Sequence, residues 1–598
     1  MRQAFGPSGC RSFTGIALLT FGFLFALSAC AGTGGSSSSS NSSTGSGSSG
    51  STGGSSPTTP STPASPGTVA AINHVIFLMQ ENRTFDTYFG MLNPYRQTNG
   101  FNVGDDGKTY NVDGIDDKLN KISNVNDSGT SFSLFKFGSA CIDDMSSAWL
   151  ESYGDVSRYN FTPARPILMD GFVHTAENFA TSCSVSGCGS GVLTDDLVGR
   201  RAMGYYDQDF LNYYYYMASQ FALSDRWFSP VSSNSTPNRI ATVTGGTTQG
   251  LANDPFLVDK FTSSLAIPTI FEALDKAGVS WKIYYGITQS GCVLPNTGAA
   301  SCSGLPDITL NSLTYGFKYV YAPATPGQCT QVGSNATPSG AAVGDPANAY
   351  CIDATHIAPI SQYFTDVANH TLPSFAWIDP AYGISDEHPG SGQSILNGQL
   401  QVSRLINALM ASPSWADSVF FLSFDEGGGP YDNVPPVPHH TNDFTDTSLG
   451  VTTDISSIAV NADGFKPCLA PVNSITGAPA PTVHCDLSSD EPGASSGDAP
   501  AIQGFAAQLG FRLPNMIVSP FTRRHYVSHT PMDHTAIIKF VEDRFIGNGQ
   551  YLTPREAAQP NLLEFFDFTA VPWATPPPAA QVPTPTQPTG ATCTPGSM

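Results

Sequence analysis

Apolar residues run from Val75 to Met79 and stop at Glu81-Asn82. A second run, Ser418 to Phe424, stops at Asp425-Glu426. Continuous runs of this length suit strands buried on both faces, as in a parallel sheet. Ligands bind at the carboxyl ends of such strands, so two neighbouring strands would bring four oxygen donors together. Trp281–Tyr285, Phe375–Asp379 and Asn515–Val518 predict further strands. Pro268–Gly278 predicts a helix with a glycine stop. Val402, Leu405, Ile406 and Leu409 mark one face of a helix ending before Pro413, and Ile537, Ile538, Val541 and Phe545 carry a last one. Helices alternating with strands define an α/β fold.

The polar stretches give the organisation. Arg2 and Arg11 precede an apolar run from Phe13 to Ala26, which is short for a membrane span and suits a signal peptide. Leu27-Ser-Ala-Cys30 resembles a bacterial lipobox, so residues 1–30 predict export and a membrane anchor at Cys30. Cleavage near Ala29 without a lipid would give a secreted protein. Residues 31–69 form a Gly/Ser-rich then Pro/Thr-rich linker. Residues 70–570 are expected to fold, with insertions at about 287–350 and 437–500, and a Pro/Thr-rich tail spans 571–598. The twelve cysteines include Cys10 and Cys30 in the leader. For an exported chain the other ten suggest disulfides, with local pairs Cys183/Cys188, Cys292/Cys302, Cys329/Cys351 and Cys468/Cys485.

Charged residues make up 12% of the 598-residue chain and the net charge is −22. No basic face is available for nucleic acid. Candidate chemistry is therefore acidic. Glu81, Asn82, Asp425 and Glu426 form an oxygen set suited to a hard cation. Ser235-Thr-Pro-Asn-Arg239 opens a helix, with Ser235 or Thr236 as its cap. A hydroxyl there would sit in positive potential beside free backbone N–H groups. Asp386-Glu-His388-Pro389 and His534 supply imidazoles. Tyr213–Tyr216 predict either a helix packed in the core or an aromatic wall for a head group.

Five segments together carry a resemblance: Glu81-Asn-Arg-Thr-Phe-Asp-Thr-Tyr-Phe-Gly90, Ser235-Thr-Pro-Asn-Arg239, Asp386-Glu-His-Pro389, Asp425-Glu-Gly-Gly-Gly-Pro-Tyr-Asp-Asn-Val-Pro-Pro436 and Ser528-His-Thr-Pro-Met-Asp-His-Thr535. In this order they resemble the bacterial phosphoesterase family of phospholipases C and acid phosphatases. The resemblance implies an alkaline-phosphatase-like fold: a mixed, mostly parallel sheet flanked by helices, with loop insertions. It implies a metal-dependent phosphoric-ester hydrolase of phospholipase C type, acting on a phosphate ester or phospholipid. The alternatives are an acid phosphatase and a surface binding protein that has lost its chemistry. It assigns Glu81, Asn82, Asp425 and Glu426 as ligands of a divalent ion, Ca, Mg or Mn before Zn. It makes Ser235 the nucleophile of a phosphoserine intermediate, and places His388 and His534 near the phosphate. Asp144-Met-Ser-Ser-Ala-Trp149 departs from the pattern, with Ser147 where many relatives carry histidine.

Overall fold

The computed structural model describes residues 67–157, 168–186, 196–246, 268–286, 308–309, 335–336, 356–436 except 382 and 391, 509–588, and 593. The chain clusters into two units, Met1–Thr62 and Pro63–Met598. The first lies outside the described residues, as do Cys30, linker residues 31–66 and at least one member of each predicted local cysteine pair. Everything below concerns the second unit.

A six-stranded sheet organises the described residues. Its strands in chain order are β1 (His74–Gln80), β2 (Trp281–Tyr285), β3 (Ile357–Pro359), β4 (Phe375–Asp379), β5 (Ser418–Phe424) and β6 (Met516–Val518). In space they run β3-β2-β4-β1-β5-β6. All pairs are parallel except β5–β6 at one edge. The apolar runs have the burial that parallel central strands require: six of seven residues in β1 and all seven in β5 are buried.

Helices cover both faces. Those in use below are α1 (Phe85–Phe89), α2 (Asn212–Gln220), α3 (Ser235–Val243), α4 (Ile270–Ala277), α5 (Ile360–Asn369), α6 (Ile395–Met410) and α7 (Thr535–Phe545). Phe77 and Trp377 are aligned on adjacent strands and meet the rings of His534 and Phe271. Phe421, aligned with Phe77 on β5, meets Phe540 of α7. Tyr284, one pleat out of phase, meets Tyr363 of α5 on the other face. The mixed, mostly parallel α/β sheet is consistent with the expected alkaline-phosphatase-like fold.

Local signals explain several boundaries. Thr269 accepts from the Glu272 amide at the start of α4, and Gly278 ends it in the left-handed conformation. Helix α3 differs from expectation: its cap position is Asn234, and Ser235 is the first helical residue rather than the cap. The tyrosine run is core. Tyr213, Tyr214 and Tyr215 are fully buried in α2, which leaves no aromatic wall open to a head group. The Pro/Thr-rich tail packs on the same unit: Thr584 and Thr586 bond with Asn212, and Cys593 is disulfide-bonded to Cys141.

Candidate active site

Parallel pairing of β1 with β5 puts Gln80 opposite Phe424, so Glu81-Asn82 and Asp425-Glu426 leave the sheet side by side. The Asn82 amide donates to Asp425 Oδ1 at 3.1 Å, and the Asp425 amide donates to the Gln80 carbonyl at 2.9 Å. Asn82 turns sharply, with φ of 59°, a conformation that asparagine tolerates better than most residues. The turn aims its side chain two ways. Asn82 Oδ1 accepts from Ser235 Oγ at 3.3 Å, and Asn82 Nδ2 lies 3.2 Å from His388 Nε2. The Ser235 hydroxyl also donates to Glu81 Oε2 at 3.0 Å. Two segments 153 residues apart thus meet at one hydroxyl, and His388 joins them through Asn82. That hydroxyl stands in the first turn of α3, where backbone N–H groups lack helical partners and the potential is positive.

Four residues along α3, on the same face as Ser235, Arg239 binds three carboxylates. Its Nη2 donates to Glu81 Oε1 at 2.6 Å, Nη1 to Asp379 Oδ1 at 3.0 Å and Nε to Asp425 Oδ2 at 3.0 Å. All four side chains are at most 3% exposed. Burial pushes the Glu81 carboxyl well above the ordinary range; the Asp425 charge adds to this and Arg239 opposes it. Burial lifts Asp379 to about 7, against the pull of Arg239, and lifts Asp386 to about 6. Burial disfavours the Arg239 cation, but the three acids outweigh it and hold its pKa above the usual arginine value.

Glu426 does not bond to Ser235. It accepts from Ser147 Oγ at 2.6 Å and from the Gly428 amide, and lines a cleft with Ser147, Ser232 and Ser233. Ser147 therefore reaches the site, through Glu426. Gly428 has φ of 73°, and a Cβ there would fall 2.5 Å from the Asn82 carbonyl oxygen, so the glycine run lets one loop wrap the other. The two histidines differ. His388 faces Asn82, and its Nδ1 lies 2.5 Å from the Pro389 carbonyl oxygen, which fits donation from Nδ1–H and an accepting Nε2. His534 is not brought to Ser235. It is fully buried, with Nδ1 3.1 Å from Thr242 Oγ1 and Nε2 3.1 Å from Ser423 Oγ, and burial pulls its pKa down to about 4.

Other motif residues build the frame. Arg512 bonds Asp432 through Nε at 3.0 Å and Asp86 through Nη2 at 3.1 Å, fastening the loop after β5 to α1. Arg555 joins Asp533 at 2.7 Å to the Pro230 carbonyl at 2.5 Å, just before the Ser235 loop. Sequence reasoning passed over Arg239 and Asp379 as site residues. Their signals were the spacing of four from Ser235 and an acid at the end of another parallel strand.

The sequence matches the Phosphoesterase family over residues 72–546, and the chain belongs to that family. It is 25% identical over 518 residues to the non-hemolytic phospholipase C of Burkholderia pseudomallei, covering 84% of this chain and 60% of that protein. It is 24% identical over 526 residues to phospholipase C B of Mycobacterium tuberculosis, covering 85% and 80%. The plant relative non-specific phospholipase C3 of Arabidopsis thaliana is 23% identical over 387 residues, covering 62% and 57%.

Proposed function

We propose that this protein is a metal-dependent phosphoric-ester hydrolase of phospholipase C type, with Ser235 as nucleophile. Family membership and relatives named as phospholipases C support phosphoric-ester hydrolysis. The observation that carries the mechanism is the charge balance around Ser235. Glu81, Asp379 and Asp425 are buried on a single guanidinium, with Asp386 close by. Uncompensated buried charge is costly, so a cation fits this donor set. Glu81 Oε2, Asn82 Oδ1, Asp425 and Ser235 Oγ would hold it, with Glu426 in the adjoining cleft. Their all-oxygen chemistry favours Ca, Mg or Mn over Zn. When bound, such an ion would lower the hydroxyl pKa and neutralise phosphate oxygens.

The chain's own residues do the rest. Glu81 and Asn82 orient the Ser235 oxygen for in-line attack on phosphorus, giving a phosphoserine that water then hydrolyses. The first amides of α3 face the anionic phosphate. The Ser235 proton passes to Glu81 Oε2, the acceptor of its hydrogen bond, and His388, once Nε2 has taken a proton from solvent in place of the Asn82 bond, gives that proton to the leaving alcohol. His534 serves as a packed buttress behind α3. Export and attachment to a membrane through Cys30 are proposed on the Leu27–Cys30 motif.

The test compares the purified protein with Ser235→Ala on p-nitrophenyl phosphorylcholine and p-nitrophenyl phosphate, with and without chelator. Wild type should prefer the diester and lose turnover to chelator. The variant should lose turnover while its metal content is unchanged. Residual turnover near wild type in Ser235→Ala would refute the nucleophile. Preference for the monoester would make the enzyme an acid phosphatase.

A further inference from the structure

We propose a second metal site, at the opposite edge of the sheet, formed by His74, His370 and Asp417 and suited to a divalent transition ion such as zinc. It does not rest on the reading of the Ser235 site. His74 begins β1 and Glu81 follows its end, so seven residues of strand, about 23 Å, separate the two sites.

Three elements supply the ligands. His74 comes from the start of β1, His370 from the C-terminal cap of α5, and Asp417 from the residue before β5. His74, His370 and Asp417 each offer one ligand atom, a ring nitrogen or a carboxylate oxygen, and these three atoms lie within 4.8 Å of one another. His370 Nε2 is 3.3 Å from Asp417 Oδ2, and His74 Nε2 is 4.0 Å from Asp417 Oδ1. A tetrahedral zinc with ligands at about 2.1 Å separates them by about 3.4 Å, so side-chain adjustment within these distances closes the site.

The surroundings orient the ligands. His74 Nδ1 lies 2.9 Å from the Pro373 carbonyl oxygen, the backbone partner that leaves the other ring nitrogen facing a metal. Asn73 Nδ2 donates to Asp417 Oδ2 at 2.8 Å, and Asn73 is itself held by Arg544. Asp417 Oδ1 is buried and accepts no hydrogen bond. His370 adopts φ of 57°, at a cap where glycine is the usual choice. Two imidazoles and one carboxylate form a borderline ligand set that prefers zinc, nickel or copper to calcium or magnesium. A fourth position is left for water. The ion would staple β1, α5 and the entry to β5, away from the proposed catalysis.

The test uses the full protein after chelator treatment, titrated with zinc alone near pH 7.5 and compared with His370→Asn, which keeps a residue that tolerates the left-handed cap. Wild type should bind one zinc equivalent more than the variant. Zinc should raise its melting temperature more than the variant's. Hydrolysis of p-nitrophenyl phosphate should be equal in the two proteins. If His370→Asn fails to fold, His370→Ala is read the same way. Equal zinc content and equal thermal response would overturn the proposal and leave an ion-pair cluster.

Discussion

At the scale of single residues, Arg239 decides whether the site can exist without a cation. One guanidinium offers its fork to Glu81, Asp379 and Asp425, all buried. Removing one member of such a set strands the others, a loss of about 3–5 kcal/mol. Arg239→Met should lower stability by about that amount in chelator, read by urea unfolding. Calcium or magnesium should restore more of the loss in the variant than it adds to wild type, because the ion takes over the balancing of charge. The same scale shows where the sequence was legible. Glu81 and Asp425 stood out because each ends an apolar run. Arg239 did not, since an arginine on a helix is usually a surface residue and only the folded sheet supplies its three acids. His534 was conspicuous by motif, yet its partners are the hydroxyls of Thr242 and Ser423.

At the scale of elements, the loop carrying His388 is held from beneath by its neighbour. Glu387 has φ of 72° and accepts from Tyr88 and Tyr214, each at 2.5 Å, and from Gln80 at 3.1 Å. Gly398 of α6 makes room for it, since a Cβ there would fall 2.1 Å from Glu387 Cγ. Tyr214 of the tyrosine run and Tyr88 of α1 thus act as a buried clamp, which helical placement alone does not reveal. Burial pushes Glu387 up to about 7, against the hydrogen bonds from Tyr214 and Tyr88. A folded pKa above the unfolded value of 4.5 gives stability that is full below 4.5 and is lost as pH rises toward 7. The expected loss is about 3 kcal/mol. Glu387→Gln cannot titrate, so its stability should lack this decline when unfolding is followed from pH 4.5 to 8. A parallel decline in both proteins would count against the clamp. Strands and long helices were legible from periodicity, whereas the cap of α3 fell at Asn234, before both expected positions, Ser235 and Thr236.

At the scale of the whole molecule, the chain is closed by a bond that no local pattern indicates. Cys141 and Cys593 are 452 residues apart, and Cys593 also bonds the loop that follows His388. The Cys593 amide donates to the Gly392 carbonyl at 2.8 Å, and the Gly390 amide donates to the Ile142 carbonyl at 3.0 Å. One cross-link therefore ties the tail to the loop bearing His388 and to the loop leading to Ser147. A disulfide closing so long a loop restricts the unfolded chain strongly, an effect on the order of 6 kcal/mol in the chain-entropy account, of which native disulfides typically deliver about 2–5 kcal/mol. Cys593→Ser should lower stability by about 2–4 kcal/mol. It should also speed amide exchange in residues 141–147 and 386–393, while the amides of β1 and β5 change only as far as global stability does. On the role proposed for His388, turnover should fall more than substrate affinity, because the cross-link holds the loop that carries it. Uniform loss of protection across sheet and loops would instead make the bond a general staple with no particular tie to the site.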